Sequence, residues 1–249
     1  MKKLKLKDVK KYIEENIDSF HFAREKAIEN LRLSKILVKK NPYLFKAKNI
    51  LTSETFVKTL TDAYLSSQEE TMFGSFLERL AIFICNKVYN GKKSSAEGID
   101  LEFEKNGIFY IVSIKSGPNW GNSTQVTKMK EHFRKAKQRL KTDAPRRPIE
   151  AINGCCYGKV AQIDKGEYQK IAGQQFWEFI SANKELYTEI IEPLGHRAKE
   201  RNEKFSKKYA RMINIFTQQF SKEFCIDGEI NWKKIVQLNS GLEKIKVNL

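Results

Sequence analysis

IDLEFEKNGIFYIVSIK, residues 99–115, is the stretch whose pattern decides the fold. Ile99 to Glu104 alternates apolar and acidic side chains, the period of a strand whose two faces meet different surroundings, and Ile108 to Lys115 is a mostly β-branched and aromatic run. Asn106-Gly107 stands between them, and that pair tolerates positive φ at both centre positions of a two-residue hairpin turn. Such a turn pairs Lys105 with Ile108. Counting outward places Asp100 directly opposite Ser113, with Lys115 as the diagonal neighbour on the same face. Directly opposed Cβ atoms lie about 5 Å apart and diagonal ones about 7 Å. The register thus gathers a carboxylate, a hydroxyl and an ammonium at one end of the hairpin. A carboxylate can hold a divalent cation, and an ammonium can position a water or offset charge on a phosphate undergoing hydrolysis. An ordinary cross-strand ion pair explains Asp100 and Lys115 on these residues alone.

Upstream, apolar residues at helical spacing (Val9, Tyr12, Ile13, Ile17, Ala27, Ile28, Leu31, Val38) predict a helical segment over residues 8–40, broken at Asn41-Pro42. Further helices are predicted over 54–67, with Ser53 as a cap, and over 70–89. The second of these is apolar almost all round from Phe76 to Cys85, so it should be buried, and its one carboxylate, Glu78, stands out. Downstream come a tight polar loop (residues 116–122), a basic helix over 123–141 and a strand over 149–157 containing Gly154. A helix over 175–181, a long basic helix over 194–224 and a short one over 232–238 complete the chain. This order predicts an α/β fold, a small mixed sheet flanked by helices with helical extensions at both ends. The expected organisation is one domain, with residues 1–68 as an N-terminal helical segment, 69–182 as the core and 183–249 as a C-terminal helical segment.

The chain of 249 residues carries 46 Lys and Arg against 30 Asp and Glu, a formal charge of +16. A phosphate polymer is the commonest partner of such a surface. No run approaches the ~18 apolar residues of a membrane span, and 41% apolar residues is too many for a disordered polyelectrolyte. Cys85, Cys155, Cys156 and Cys225 form no C-x-x-C pair and there are three histidines, so neither a zinc site nor a disulfide framework is expected. With no apolar run behind the basic start, no secretory signal is expected either, and the expected compartment is the cytoplasm.

Ile99-Asp100 followed by Ser113-Ile114-Lys115 resembles the core motif of PD-(D/E)xK nucleases. More narrowly, the stretch TMFGSFLE (residues 71–78), the Ser113-Ile-Lys-Ser-Gly117 turn with Trp120, and Gly173-x-x-Phe176-Trp177 resemble type II restriction endonucleases that cut interrupted GGNCC-like sites. The resemblance implies a restriction-endonuclease-like core, hydrolysis of double-stranded DNA that depends on Mg²⁺ (with Mn²⁺ as a substitute) and leaves 5′-phosphate ends, a homodimer, and a cognate methyltransferase. It implies Asp100 and Lys115 as catalytic residues and the Ile114 carbonyl as a metal ligand. Ser113 departs from the pattern, which has Asp or Glu there, and a serine cannot supply the second anionic ligand that a hard cation needs. A substitute carboxylate is implied, with Glu78 first, Glu131 second and Glu102 third.

For DNA contact, residues 122–150 hold nine basic residues against three acids, and 195–224 hold eight against three. Such residues neutralise phosphates. Asn119, Asn122, Gln125, Lys128 and Arg146 are the polar side chains nearest the turn that could read base edges, with Arg134 and Arg147 beside them. Trp120 fits both a wedge into DNA and an anchor for its own loop. Two further functions share these residues: a structure-specific or repair nuclease of the same superfamily, and a DNA-binding protein whose metal site has decayed at Ser113.

Overall fold

The computed structural model describes residues 2–143, 148–243, 245 and 247. In chain order its elements are α1 (Leu6–Asn16), α2 (Asp18–Glu29), α3 (Leu33–Lys39), α4 (Pro42–Ala47), α5 (Ser53–Tyr89), β1 (Lys92–Lys93), β2 (Leu101–Lys105), β3 (Ile108–Lys115) and α6 (Ser123–Asp143). They continue with β4 (Ile149–Cys155), β5 (Gln169–Ala172), α7 (Gln174–Ser181), α8 (Leu186–Glu189), α9 (Ile191–Leu194), α10 (Ala198–Phe224), β6 (Cys225–Ile226), β7 (Glu229–Ile230) and α11 (Trp232–Ser240). These pack as two compact units, one of residues 1–18 and 73–196, the other of residues 19–72 and 197–249.

The first unit holds a five-stranded mixed sheet in the order β1-β2-β3-β4-β5. Asn106 and Gly107 take φ of 53° and 77°, as the two-residue turn requires. Lys105 pairs with Ile108, and the register runs back to Leu101 opposite Val112. β3 is joined to β4 through α6, and the two strands are parallel, since a parallel pair needs a crossover and a helix supplies it. Phe109 and Ile111 of β3 and Ile149 and Ala151 of β4 form one core with Met129, Phe133 and Ala136 of α6. On the opposite face Phe103 and Tyr110 stack at 5.4 Å, Tyr89 of α5 lies 5.4 Å from Phe103, and Phe179 of α7 meets both edge-on. Each large side chain fully buried in this way contributes about 1.5–3 kcal/mol. The expected small mixed sheet between helices is therefore what the chain forms.

The second unit is helical. Leu33, Ile36 and Leu37 of α3, Phe56, Leu60 and Tyr64 of α5, and Phe216, Phe220 and Phe224 of α10 close on one apolar core, with the Phe56 and Phe220 rings 4.8 Å apart.

Several boundaries differ from the sequence expectation, each for a local reason. The helices expected over 54–67 and 70–89 are one helix of 37 residues, because nothing in Ser66-Ser67-Gln68-Glu69 breaks it. The segment 8–40 is three helices, and Asn41 also starts a fourth by accepting the Tyr43 and Leu44 amides ahead of Pro42. The long basic helix begins at Ala198 rather than 194, since Arg197 sits at a left-handed φ of 52°. β4 ends at Cys155, two residues early, although Cys156 and Tyr157 still donate to the Lys115 and Ser116 carbonyls. β1 and β5 carry too few residues to show a period and were not expected. Among the described residues, no helix is long and apolar enough to cross a membrane.

Candidate active site

The hairpin delivers Asp100 to the mouth of β2, where the strands begin to part. Its amide donates to the Val112 carbonyl at 2.9 Å, and its Oδ2 accepts the Ile114 amide at 2.7 Å. The carboxylate is thereby fixed on the Ser113-Ile114-Lys115 strand end rather than left to swing in solvent.

α5 brings the second carboxylate. Phe76, Leu80, Ala81, Ile84 and Cys85 bury one side of the helix completely. Gly74 lies against the turn that follows β3, where any β-carbon would run into Ser116 Oγ. Glu78 follows one helical turn after Gly74, on the same side, so the absence of a side chain at 74 lets the helix come close enough to present Glu78 to the strand end. Glu78 Oε1 pairs with Lys93 Nζ at 3.2 Å. Burial pushes the Asp100 carboxyl above its usual range. The Ile114 amide pulls it back, the Glu78 charge raises it further, and Lys115 and Lys93 oppose that rise. Two carboxylates are thus held close enough to repel, with the Ile114 amide and the Lys115 and Lys93 ammonium groups opposing the rise at Asp100.

The Lys115 ammonium lies 5.2 Å from the centre of the Trp120 ring, within cation–π range. The Trp120 indole Nε1–H donates to Asn153 Oδ1 at 3.1 Å, and Asn153 Nδ2 donates to the Ser113 carbonyl at 3.2 Å. Trp120 also packs against the core beneath α6, as an anchor for its loop. Ser113 is paired in register with Asn153 and both are fully buried.

An oxygen-only donor set suits a hard cation. Asp100, Glu78 and the Ile114 carbonyl could supply such oxygens, and a divalent cation would relieve the repulsion between the two carboxylates. Among the described residues no group of three or more His, Cys, Asp or Glu side chains is placed to hold a metal. Glu102, on the strand face of Asp100, is buried and pairs with Lys92 at 3.3 Å. Glu131 is exposed on α6 and acts on Arg134 rather than on Asp100.

The expected DNA contacts divide. Asn122 and Gln125 form a reciprocal capping box at the start of α6: Asn122 Oδ1 accepts the Gln125 amide and Gln125 Oε1 accepts the Asn122 amide, both at 3.0 Å. Arg134 is forked onto Glu167 at 2.6 and 3.3 Å, and Lys130 joins the same carboxylate at 3.4 Å. Asn119 and Lys128 are exposed. Arg146 and Arg147 lie outside the described residues. On α10, Lys208 is held by Glu25 and Glu29 of α2 at 2.6 and 2.7 Å, and Arg197 and Lys204 share Glu200.

Two residues near the site were missed. Asn153 is visible in the sequence as a polar residue inside the apolar run AINGCC, the usual mark of a side chain with a specific partner. Lys93 sits in a two-residue strand and carries no such mark.

No curated protein matches the chain. The model of the family described as Type II restriction endonuclease EcoO109I matches residues 7–202, well over half of the sequence. That span includes Gly74, Glu78, the whole hairpin, Trp120 and Asn153, and by it the chain belongs to the type II restriction endonuclease EcoO109I family, a family of DNA-binding nucleases.

Proposed function

We propose that this restriction endonuclease is Mg²⁺-dependent and hydrolyses double-stranded DNA through Asp100, Glu78 and Lys115, leaving 5′-phosphate and 3′-hydroxyl ends. The observation that carries this reading is the convergence at one strand end of a carboxylate pinned by the Ile114 amide, a second carboxylate delivered by α5, and an ammonium lying beside an indole ring. Asp100, Glu78 and the Ile114 carbonyl would hold Mg²⁺ or Mn²⁺, which would supply positive charge against that accumulating on the phosphate. Lys115 orients the attacking water and faces the same developing charge. Asp100 gains its fixed direction from the Ile114 amide. Ser113, buried beneath the strand, contributes its backbone rather than a ligand. Lys128 and Asn119 approach the duplex from the exposed start of α6 and its preceding loop, with Arg146 and Arg147 proposed as phosphate contacts. A palindromic target, of the interrupted GGNCC type, calls for a two-fold homodimer with one site on each strand. A methyltransferase of the same system would protect the host's copies of that site in the cytoplasm.

Incubation of the purified protein with phage DNA in Mg²⁺ or in chelator tests this. Discrete fragments in Mg²⁺ alone, rejoined by ligase without prior phosphorylation, are expected. Cleavage confined to branched DNA would make the protein a structure-specific nuclease, and binding without cleavage would make it a DNA-binding protein with a decayed site.

A further inference from the structure

Asn153 is a fully buried polar side chain beside the strand end, and its two hydrogen bonds face opposite ways. Nδ2 holds the Ser113 carbonyl of the neighbouring strand. Oδ1 takes the indole N–H of Trp120 from the loop that follows Lys115. The parallel register makes this possible: Ser113 lies beside Asn153 and Lys115 beside Cys155, so Asn153 sits one strand away and two residues behind the ammonium. The loop from Ser116 to Gly121 contains a Pro and two Gly residues and no strand pairing of its own past Ser116. Among the described residues two side-chain hydrogen bonds tie it back to the sheet side, the Trp120–Asn153 bond and the bond from Lys170 Nζ to the Pro118 carbonyl at 2.7 Å, beside the packing of Trp120 on the core. A buried amide left without its partner is costly, so the Asn153 carbonyl selects the indole position that satisfies it. In that position the ring lies 5.2 Å from Lys115 Nζ.

We infer that Asn153 and Trp120 are positioning residues for Lys115: the buried amide fixes the indole, and the indole confines the ammonium to the direction from which it acts. This inference rests on Lys115 being the water-orienting group. It assigns Trp120 to rate rather than to DNA affinity, and places Asn153 in the same chain of contacts, between Trp120 and the Ser113 carbonyl.

The test is a double-mutant cycle on the full-length protein, with Trp120→Phe, Asn153→Ala and the pair. Single-turnover cleavage in Mg²⁺ is measured on a plasmid carrying one mapped site, and affinity for the same duplex is measured in chelator. Trp120→Phe keeps a ring but removes the N–H. Each single variant is expected to cleave about tenfold more slowly with affinity unchanged, and the double variant no more slowly than the worse single one, because both changes cut the same chain of contacts. Multiplying losses in the double variant would overturn the inference, as would losses that appear in affinity instead of rate. Should Asn153→Ala fail to fold, Trp120→Phe alone decides: a slowed rate at unchanged affinity supports the inference and a wild-type rate overturns it. A wild-type protein that cuts nothing would instead sink the proposed activity, and a Lys115→Ala variant that cuts normally would sink the role of Lys115 on which the inference stands.

Discussion

Gly74 offers a quantitative test of how α5 is seated on the catalytic turn. Replacing an interior helical glycine by alanine ordinarily stabilises a helix by about 1 kcal/mol, through the lost backbone freedom of the unfolded chain. Here the new β-carbon would stand well inside contact distance of Ser116 Oγ, while Ser116 Cβ would lie at an ordinary 3.7 Å. The hydroxyl must leave, at a cost of about 0.5–1.5 kcal/mol if it is forced off its preferred rotamer. Gly74→Ala alone should therefore fall within about 0.5 kcal/mol of wild type, the two effects nearly cancelling. Removing the hydroxyl as well, in Gly74→Ala with Ser116→Ala, leaves only the comfortable 3.7 Å contact and should release the full gain of about 1 kcal/mol. The coupling between the two positions is then about 1 kcal/mol, read from urea midpoints of the four proteins. Gly74→Leu goes further, since carbons beyond Cβ must also fit against Ser116 Cβ, which already lies 3.7 Å from the new β-carbon. α5 must withdraw and take Glu78 with it, and an error of about 1 Å in a catalytic group costs on the order of a hundredfold in rate. A Gly74→Ala variant stabilised by the full propensity gain without help from Ser116→Ala, together with a Gly74→Leu variant that cleaves normally, would refute the close approach of helix to turn.

Two other consequences follow from single interactions. Asp100→Asn keeps an oxygen for the Ile114 amide but removes a charge whose pKa burial has raised; because the folded state then holds the Asp100 proton more tightly than the unfolded chain, the wild type loses stability as pH rises through that window, above the ordinary carboxylate value of about 3.9. In metal-free buffer at neutral pH the variant should melt higher than wild type, with the gap closing on acidification, and a variant that melts lower at neutral pH would contradict the burial argument. Asn122→Ala should lower stability by about 1 kcal/mol through loss of the α6 cap and leave the pattern of DNA fragments unchanged, whereas altered fragments with an unchanged melting temperature would mark Asn122 as a base reader.

What was legible in the sequence was local. Asn106-Gly107 and the alternation before it specify the turn and the register as far as Leu101 opposite Val112, and so bring Asp100 to the end of β3, where it meets the Val112 carbonyl and the Ile114 amide. The capping box was equally readable, since Asn122 and Gln125 have the right spacing, but side chains that suit a base edge also suit a helix end. Less legible was whatever depends on approach between distant elements. That the Glu78 charge reaches Asp100 depends on the close approach that Gly74 allows, and that Lys130 and Arg134 are occupied follows from Glu167, more than thirty residues away. The same holds for the basic excess of the long C-terminal helix, part of which Glu25 and Glu29 neutralise within its own unit. Short strands such as β1 and β5 exist because a neighbour offers them hydrogen bonds, which no period of their own announces.

The central claim is that Lys115 acts on the reaction and Glu78 replaces the acid missing at Ser113. Lys115→Ala and Glu78→Gln should each retain duplex binding in chelator while Mg²⁺-dependent cleavage falls by at least about 10²–10³-fold, with Glu131→Gln cleaving like wild type as the internal control. Cleavage retained by Lys115→Ala or Glu78→Gln, or lost with Glu131→Gln instead, would contradict the account.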